Sequence, residues 1–383
     1  MTAPRLPRLL FISKPLLPPY RDGTKCLVRE ICCHVQVAEP SVLGDGLPAA
    51  ELGNGTRVES VYATAGSYAP SAWDNARAAL WVLFRSRAQL WQFVFAPNVT
   101  SSLVGRLLKW FRRVPVVQTI ASPPKSFEQP ARLLFGDIIV AQSEWTRRQF
   151  YESYHSLQKT PPRIEVIHPA VSATLQAQSD TAVKEARVEV GAAADAQILL
   201  YPGDLEMSQG AARVAQVAEE MLARHPRAHI VFAYRNKTPA AAKCAEELSR
   251  ALSHERVTVI ANVRNIHALV QASSAILFPV DDLYGKVDLP IVLLEALVLG
   301  TPVLVSEEGP LAELKGALQV PLHRADAGDQ FEPSAWQSAV DWVLSEEGSA
   351  EQLRQAQAAL PLFSAERMTR SYEGLYRELL AAR

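Results

Sequence analysis

Two turns bounded by glycine are the parts of the sequence best suited to bind an anionic ligand. Gly203 and Gly210 bracket a predicted strand-to-helix turn. A helix that begins at Gly210 presents backbone amides, and the positive end of its dipole, to a group such as a diphosphate. Gly23 and Thr24 precede a predicted helix in the first half of the chain in the same way. For Gly23 the alternative is an ordinary tight turn.

Glu295 is a carboxylate in an otherwise apolar helical stretch, among Leu293, Leu294, Ala296 and Leu297. Pro290 suits the start of that helix, because the first helical position needs no backbone amide. A carboxylate in this setting is either a solvated surface residue or a contact to a ligand. The residues alone leave both interpretations open.

Four cations follow predicted strands or lie in the loop before Glu295, namely Arg235, Lys237, Arg264 and Lys286. In a doubly wound sheet, ligands bind at the carboxyl ends of the strands. These side chains are therefore candidates for neutralising a bound diphosphate. The alternative for each one is a solvated position on the surface.

The elements that would position these residues alternate between strand and helix. Strands separated by helices of 10–15 residues indicate βαβ units and parallel sheets. The chain shows two such series, so we expect two doubly wound, Rossmann-like α/β domains. A dinucleotide-dependent oxidoreductase is not indicated, because the first strand is followed by Lys14-Pro15-Leu16 and not by the G-x-G-x-x-G motif of such enzymes. The predicted strands are 8–13, 57–63, 90–96, 114–120, 137–141 and 163–167, then 198–202, 229–234, 257–261, 275–279 and 302–306.

Composition limits the remaining classes. The 383 residues are 48% hydrophobic and 21% charged, with a net charge of −1, which argues against disorder and against a strongly basic nucleic-acid binder. Residues 1–165 carry 20 basic and 12 acidic residues, whereas residues 166–383 carry 19 and 28. The four cysteines form no metal or disulfide pattern, and no signal peptide or membrane-spanning run is evident. We expect a cytoplasmic protein that binds no nucleic acid.

Four segments resemble retaining GT-B glycosyltransferases of family 4. DLPIVLLEALVLGTPVLVSEEGPLAE at 288–313 is similar to the family's E-x7-E and G-x-P-V donor signature. LLYPGDLEMSQG at 199–210 and AQSEWTR at 141–147 match two further motifs. The last helix, within 363–379, is similar to the one that crosses back to the first domain in that fold. The matches occur in the expected order and span most of the chain.

The resemblance implies a domain organisation and an activity. Residues 1–172 would form the acceptor domain, 173–360 the nucleotide-sugar domain, and 361–383 a helix that packs back on the first domain. The two domains would face each other across a cleft. The implied reaction is transfer of a hexose from a nucleoside-diphosphate sugar to a saccharide or glycolipid acceptor, with retained configuration and no metal, as in polysaccharide biosynthesis. Glu295 would bind the ribose hydroxyls. The implied donor-binding residues are Gly23, Thr24, Gly203, Asp204, Gln209, Gly210, Arg235, Lys237, Arg264, Lys286, Val287, Pro290, Ile291 and Glu295.

The sequence departs from the family pattern at the positions that carry charge. The phosphate-binding Arg and Lys fall on Asp204 and Gln209, the first Glu of E-x7-E falls on Val287, and the first-domain histidine falls on Ala121. Two lost charged hydrogen bonds correspond to about 3–6 kcal/mol, and Asp204 would repel a diphosphate. No catalytic residue can be assigned. The alternatives are relocated cations, a degenerate GT-B protein that acts as a binding scaffold, and a GT-B sugar-nucleotide epimerase.

Residues 73–113 combine seven basic residues and one acid with interleaved aromatic side chains. Basic, aromatic helices can lie on anionic membrane surfaces. The alternative is a solvated basic helix face with the aromatic residues in the core. The residues alone leave both interpretations open, and contact with the inner face of the membrane through this segment would suit a lipid-linked acceptor.

Overall fold

The computed structural model describes residues 6–18, 20, 22–47, 49–53, 55–62, 70–323 and 330–382. The chain divides into two compact units. The first comprises Met1–Ala173, Tyr284–Ile291 and Leu362–Arg383, and the second comprises Thr174–Leu283 and Val292–Pro361. Tyr284–Ile291 thus belongs to the first unit, whereas the sequence-based boundaries place it in the second domain.

Strands and helices alternate along most of the described chain. The strands are β1 Arg8–Ile12, β2 Glu39–Gly44, β3 Arg57–Ser60, β4 Leu90–Phe95, β5 Val116–Ile120, β6 Ile138–Ala141, β7 Ile164–Val166, β8 Gln197–Pro202, β9 Ala228–Tyr234, β10 Val257–Ala261, β11 Ser273–Phe278, β12 Val303–Ser306 and β13 Leu318–Val320. The α-helices are α1 Gly23–His34, α2 Ala72–Phe84, α3 Val99–Arg112, α4 Pro130–Leu133, α5 Glu144–Ser156, α6 Asp180–Glu189, α7 Gly210–Arg224, α8 Pro239–Ala251, α9 Ile266–Ala272, α10 Ile291–Val298, α11 Pro333–Val343, α12 Glu346–Ala359 and α13 Ala365–Ala381.

Each unit contains one parallel sheet. The first has the order β3-β2-β1-β4-β5-β6-β7, and the second has the order β10-β9-β8-β11-β12-β13. All strand pairs within both sheets are parallel. The strand order reverses between β1 and β4 in one sheet and between β8 and β11 in the other, which is the doubly wound topology. The prediction of two doubly wound α/β domains is confirmed.

Helix α13 completes the core of the first unit. Tyr372 and Tyr376 are fully buried on this helix and belong to the same apolar cluster as residues of β1, β4 and α1. The hydroxyl of Tyr372 lies 3.2 Å from the Thr119 hydroxyl, and Tyr376 donates a hydrogen bond to Gln92. The last helix of the chain is thus held to the first sheet by buried aromatic packing and by polar contacts.

Two strands were missed in the sequence. β2 contains Glu39, Pro40 and Gly44, residues that are uncommon in strands, and so it gives no alternating apolar pattern. β13 has only three residues. The second strand predicted, at 57–63, is β3 in the structure, and residue 63 lies outside the described residues. Helix α1 begins at Gly23 itself, two residues before the predicted start.

Candidate functional site

The turn between β8 and α7 is built around glycine. A Cβ atom on Gly210 would lie 2.5 Å from Cγ2 of Val280 and 2.7 Å from the hydroxyl oxygen of Tyr201. Only a residue without a side chain fits there, so α7 can begin directly against the chain that leaves β11. The hydroxyl of Tyr201, on β8, donates to the backbone carbonyl of Asp204, at 3.1 Å, and so ties the turn to the end of the strand. The position lies at the point where the strand order reverses.

The N-terminus of α7 carries backbone amides that its N-cap side chain leaves open. Gln209 is the N-cap residue, and its side chain makes no capping hydrogen bond. The amide of Ala211 is bonded to the hydroxyl of Tyr201. α7 has 15 residues, long enough for its dipole to favour an anion near Gly210. The first amides of a helix lack partners within the helix and suit phosphate oxygens. Gln209 is exposed, and Gly203 is half-buried.

Asp204 forms an ion pair with Lys237. Nζ of Lys237 lies 2.9 Å from Oδ1 of Asp204, and the two side chains are only 13% and 12% exposed. The charge of Asp204 is thus offset by a cation on the loop after β9, which reduces the repulsion expected between this carboxylate and a diphosphate. That the carboxylate repels a diphosphate stays a prediction.

Arg235 and Arg264 occupy different surroundings. Arg235 immediately follows β9 and is half-buried. β9 lies beside β8, the strand that leads into the β8–α7 turn. Arg264 follows β10 at the edge of the sheet, and its side chain is 89% exposed. The guanidinium of Arg264 lies 3.7 Å from Glu189 of α6. Arg235 therefore follows the strand next to β8, whereas Arg264 follows the edge strand, one position further from the reversal point.

Glu295 is held by a histidine. Its Oε1 atom lies 3.1 Å from Nε2 of His267 on α9. The flanking residues of α10, including Leu294 and Ala296, are buried, whereas Glu295 itself is half-buried. The carboxylate is therefore oriented and still reached by solvent. His267 was missed in the sequence because it stands 28 residues before Glu295 in an element with no functional motif.

A second polar network was also missed. Arg213, on the first turn of α7, is buried and donates to both carboxylate oxygens of Asp281, at 2.9 Å each, and to the carbonyl of Pro279. Burial raises the pKa of the Asp281 carboxyl, but the hydrogen bonds and charge of Arg213 outweigh burial, and the pKa lies below its usual value. His323 lies 2.9 Å from Glu308 and 3.9 Å from Asp281. This network fixes the chain that leaves β11.

In the first unit, α1 begins with an acidic cap. The side chain of Asp22 accepts from the backbone amide of Thr24, at 3.1 Å, and pairs with Lys14 at 3.2 Å. Lys25 donates to the carbonyl of Leu17, and burial lowers the pKa of its amine. The amide of Thr24, one of the predicted phosphate ligands, is therefore already bonded to a carboxylate. The backbone amide of Gly23 is the other amide at this helix start that the sequence predicts as a phosphate ligand.

The segment Tyr284–Ile291 lies beside the start of α1. A Cβ on Gly23 would lie 2.9 Å from Cγ1 of Val287, so the two residues are in close contact. Asp288 is fully buried and accepts a 2.6 Å hydrogen bond from the Ser143 hydroxyl, which also caps α5. Lys286 is half-buried, and Pro290 and Ile291 are buried. Of the predicted residues, Gly23 and Val287 are thus in contact, and Lys286, Pro290 and Ile291 lie in the same segment of the first unit as Val287.

The position of the family histidine holds a buried alanine. Ala121 is 2% exposed. Two residues earlier, the hydroxyl of Thr119 accepts a hydrogen bond from Nε2 of Gln92, at 3.0 Å, and lies 3.2 Å from the hydroxyl of Tyr372. Over the described residues, no group of three or more His, Cys, Asp or Glu side chains is arranged to hold a metal ion.

Comparison with known families gives one match in sequence. Residues 183–359 match the family model described as glycosyl transferases group 1. The matched range contains the β8–α7 turn, the Asp204–Lys237 pair and Glu295. No protein of curated function matches the chain significantly.

Solved structures resemble the whole chain. HepE from Anabaena, in complex with UDP and glucose, has a TM-score of 0.71 at 14% identity, covering 97% of this chain and 100% of that one. Sucrose-phosphate synthase from Thermosynechococcus elongatus has a TM-score of 0.71 at 17% identity, with 98% and 100% covered. A UDP-forming trehalose-phosphate synthase from Burkholderia xenovorans has a TM-score of 0.68 at 13% identity, with 98% and 99% covered. At these identities the likeness shows the fold, and the chain has the two-domain GT-B fold.

Proposed function

We propose that this protein is a glycosyltransferase that moves a hexose from a nucleoside-diphosphate sugar to a saccharide or lipid-linked acceptor, with retention of configuration. The observation that carries the proposal is the β8–α7 turn. The N-terminus of α7, where the N-cap side chain makes no capping hydrogen bond, lies at the reversal point of a parallel sheet, within residues 183–359 that match the group 1 model. Together with the GT-B fold, this favours glycosyl transfer over the other functions considered above.

The donor would be bound chiefly by the second unit. In the proposal, Glu295 accepts hydrogen bonds from the two ribose hydroxyls, held in place by His267 at 3.1 Å. The amides at Gly210 receive the diphosphate, and Arg235 supplies the positive charge that Asp204 and Gln209 do not. Uridine is the first base to test, because the structure of HepE that resembles this chain contains UDP and glucose.

Catalysis of this reaction requires mainly that donor and acceptor are positioned and that the charge of the leaving diphosphate is stabilised. The bond between the sugar's C1 and the diphosphate oxygen breaks, a bond from C1 to the acceptor oxygen forms, and the acceptor hydroxyl loses its proton. The nucleoside diphosphate leaves with the bonding electrons. Preorganised helix amides and a cation stabilise that leaving group, and holding donor and acceptor together removes most of the entropic barrier. No side chain is assigned as the general base.

Isothermal titration tests donor binding directly. The protein is titrated with UDP-glucose, other UDP-sugars and GDP-sugars, and hydrolysis of the bound donor is then followed. We expect one donor class to bind, and we expect Arg235→Ala to weaken that binding about tenfold or more, as for a charged hydrogen bond to phosphate. Lys243→Ala is the control, since Lys243 is exposed on α8 and pairs with Glu247.

Three outcomes separate the alternatives. Binding without transfer or hydrolysis, or no binding at all, favours the scaffold that has lost catalysis. Conversion of one sugar nucleotide into another favours the epimerase. Binding that Arg235→Ala leaves unchanged rejects the idea of relocated cations. Activity retained after treatment with EDTA would support the expectation that no metal is needed, which stays a prediction here.

A further inference from the structure

Helix α2 carries an apolar stripe that faces away from the protein. Trp73, Ala76, Leu80 and Phe84 recur every three or four residues, so they lie on one side of the helix. All four are exposed, Trp73 by 77% and Phe84 by 73%. The opposite side of the helix buries Ala78 and Val82 against the first sheet. A surface helix of a globular protein ordinarily exposes its polar face to solvent, whereas α2 exposes this apolar stripe.

Helix α3 repeats this arrangement over a longer stretch. Val99, Leu103, Leu107 and Trp110 follow the helical spacing, with Val104 and Phe111 beside them. Each of these six side chains is exposed, Trp110 by 69%. Leu108 is buried in the same apolar cluster as Val82 of α2. Both helices therefore cover the same side of the first sheet and turn their apolar stripes outward.

The two stripes form one surface. The guanidinium of Arg112 on α3 donates to the carbonyls of Leu83 and Ser86 at the end of α2, at 2.6 and 2.8 Å. The helices are thus in direct contact along the same side of the sheet. Of the 17 exposed large hydrophobic side chains in the described residues, nine lie on these two helices. We call this surface, which comprises the exposed side chains of 73–84 and 99–111, the α2–α3 face.

The charge around the α2–α3 face is positive. Arg85, Arg87 and Arg106 are exposed at its edges. Arg106 donates to the carbonyls of Ala131 and Leu134, which carry no charge and so leave the guanidinium positive. The only acid in 73–113 is Asp74, which is paired with Arg77 at 2.9 Å.

We propose that the α2–α3 face docks on the surface of an anionic lipid bilayer. Tryptophan, phenylalanine and leucine side chains on helices that lie flat partition into the headgroup region, while flanking arginines attract anionic lipids. A second copy of the chain fits this face less well, because pairing would bring two arginine-rich rims together. No helix among the described residues is long and apolar enough to cross a membrane. The inference does not rest on the proposed function, since the face lies in the first unit and contains none of the donor-binding residues.

Co-sedimentation with lipid vesicles tests the inference. The full-length protein is mixed with vesicles of phosphatidylcholine alone or with added phosphatidylglycerol, at low and at high salt. We expect binding to the anionic vesicles only, weakened by salt because the attraction of surface charges is screened. Two variants are compared with the wild type, namely Phe84→Ser with Trp110→Ser, and Arg85→Gln with Arg87→Gln. Each should reduce vesicle binding about tenfold or more.

Matched controls remove equivalent groups elsewhere. Val188→Ser takes away a side chain that is 78% exposed on α6, and Lys243→Gln takes away an exposed charge on α8. Both should bind vesicles like the wild type. All substituted positions are exposed, so circular dichroism and the thermal midpoint should stay unchanged; if a double variant does not fold, the single variants Trp110→Ser and Arg87→Gln replace it.

Two results would overturn the proposal. One is vesicle binding by the face variants equal to that of the controls, or no binding by the wild type to anionic vesicles. The other is a concentration-dependent dimer, seen by light scattering, that Phe84→Ser with Trp110→Ser abolishes, since the occupant of the face would then be a second copy. Quenching of tryptophan emission by brominated lipids gives a second readout, which Trp73→Phe with Trp110→Phe should largely remove.

Discussion

The carboxylate of Glu295 lies 3.1 Å from Nε2 of His267. The two residues stand on α10 and α9, the helices that follow and precede β11. The ring therefore restrains a side chain that would otherwise sample several rotamers, and it leaves part of the carboxylate open to solvent. An oriented carboxylate on an apolar helix is suited to accept two hydrogen bonds from neighbouring hydroxyls, as the ribose interpretation requires.

Glu295→Gln should weaken binding of the donor nucleotide by about 10- to 100-fold, the value of one charged hydrogen bond. The amide keeps the shape of the side chain and removes its charge. Titration calorimetry with the bound donor measures the change. Glu247→Gln on the exposed surface of α8 is the control. Equal affinities for both variants would remove Glu295 from the donor site.

Lys237→Met should destabilise the second unit by about 3–5 kcal/mol, because it leaves the carboxylate of Asp204 buried without its ion-pair partner. The double variant Lys237→Met with Asp204→Leu should regain most of that loss, since no buried charge remains. Urea unfolding measures both. Lys243→Met breaks an exposed pair with Glu247 and should change stability by less than about 1 kcal/mol. A double variant no more stable than the single one would show that the pair is not the cause.

Asp281→Asn should change how stability depends on acid pH. The pKa of the Asp281 carboxyl is lowered in the folded protein, because Arg213 outweighs the effect of burial. Such a carboxyl stabilises the fold above its unfolded-state pKa of about 3.9, and the contribution is lost as the pH falls through the lowered folded-state value. Below about pH 4 the variant should therefore lose stability less steeply than the wild type. Urea midpoints across this range measure the slope, and Glu185→Gln on the surface should reproduce the wild-type slope.

Tyr372→Ala should destabilise the first unit by about 3–5 kcal/mol, because it empties a fully buried aromatic position between α13 and the sheet. Tyr372→Phe removes only the hydrogen bond with Thr119 and should cost about 1 kcal/mol. The thermal midpoints of the two variants give the comparison. A small effect of the alanine variant would mean that α13 contributes little to the first core.

The vesicle and donor experiments address different parts of the chain. The donor variants alter the second unit, whereas the α2–α3 face belongs to the first. A protein that binds vesicles without binding any sugar nucleotide would keep the membrane inference and lose the enzymatic one. The reverse result would keep the transferase proposal with an acceptor that needs no bilayer.

Elements with a regular apolar period were predictable from the sequence. α7 begins at Gly210 and β10 spans Val257–Ala261, both as predicted, because helix and strand periods are local properties of the chain. The cap of α5 is also local, because the Ser143 hydroxyl accepts from the backbone amide of Thr146 three residues later. β2 was not predicted, because Pro40 and Gly44 interrupt the alternation of apolar residues that marks a strand. It is recognisable only from its pairing with β1 and β3.

The charges of the site were decided by the tertiary structure. In the sequence Asp204 stands where a cation is expected, and nothing near it in the chain offers compensation. The sheet places β9 beside β8, which brings Lys237 to Asp204 over a separation of 33 residues. In the same way α7 carries Arg213 to Asp281 over 68 residues. Local pattern therefore determines which strands and helices form, whereas the order of strands in the sheet determines which side chains meet, because that order is set by packing between segments distant in the chain.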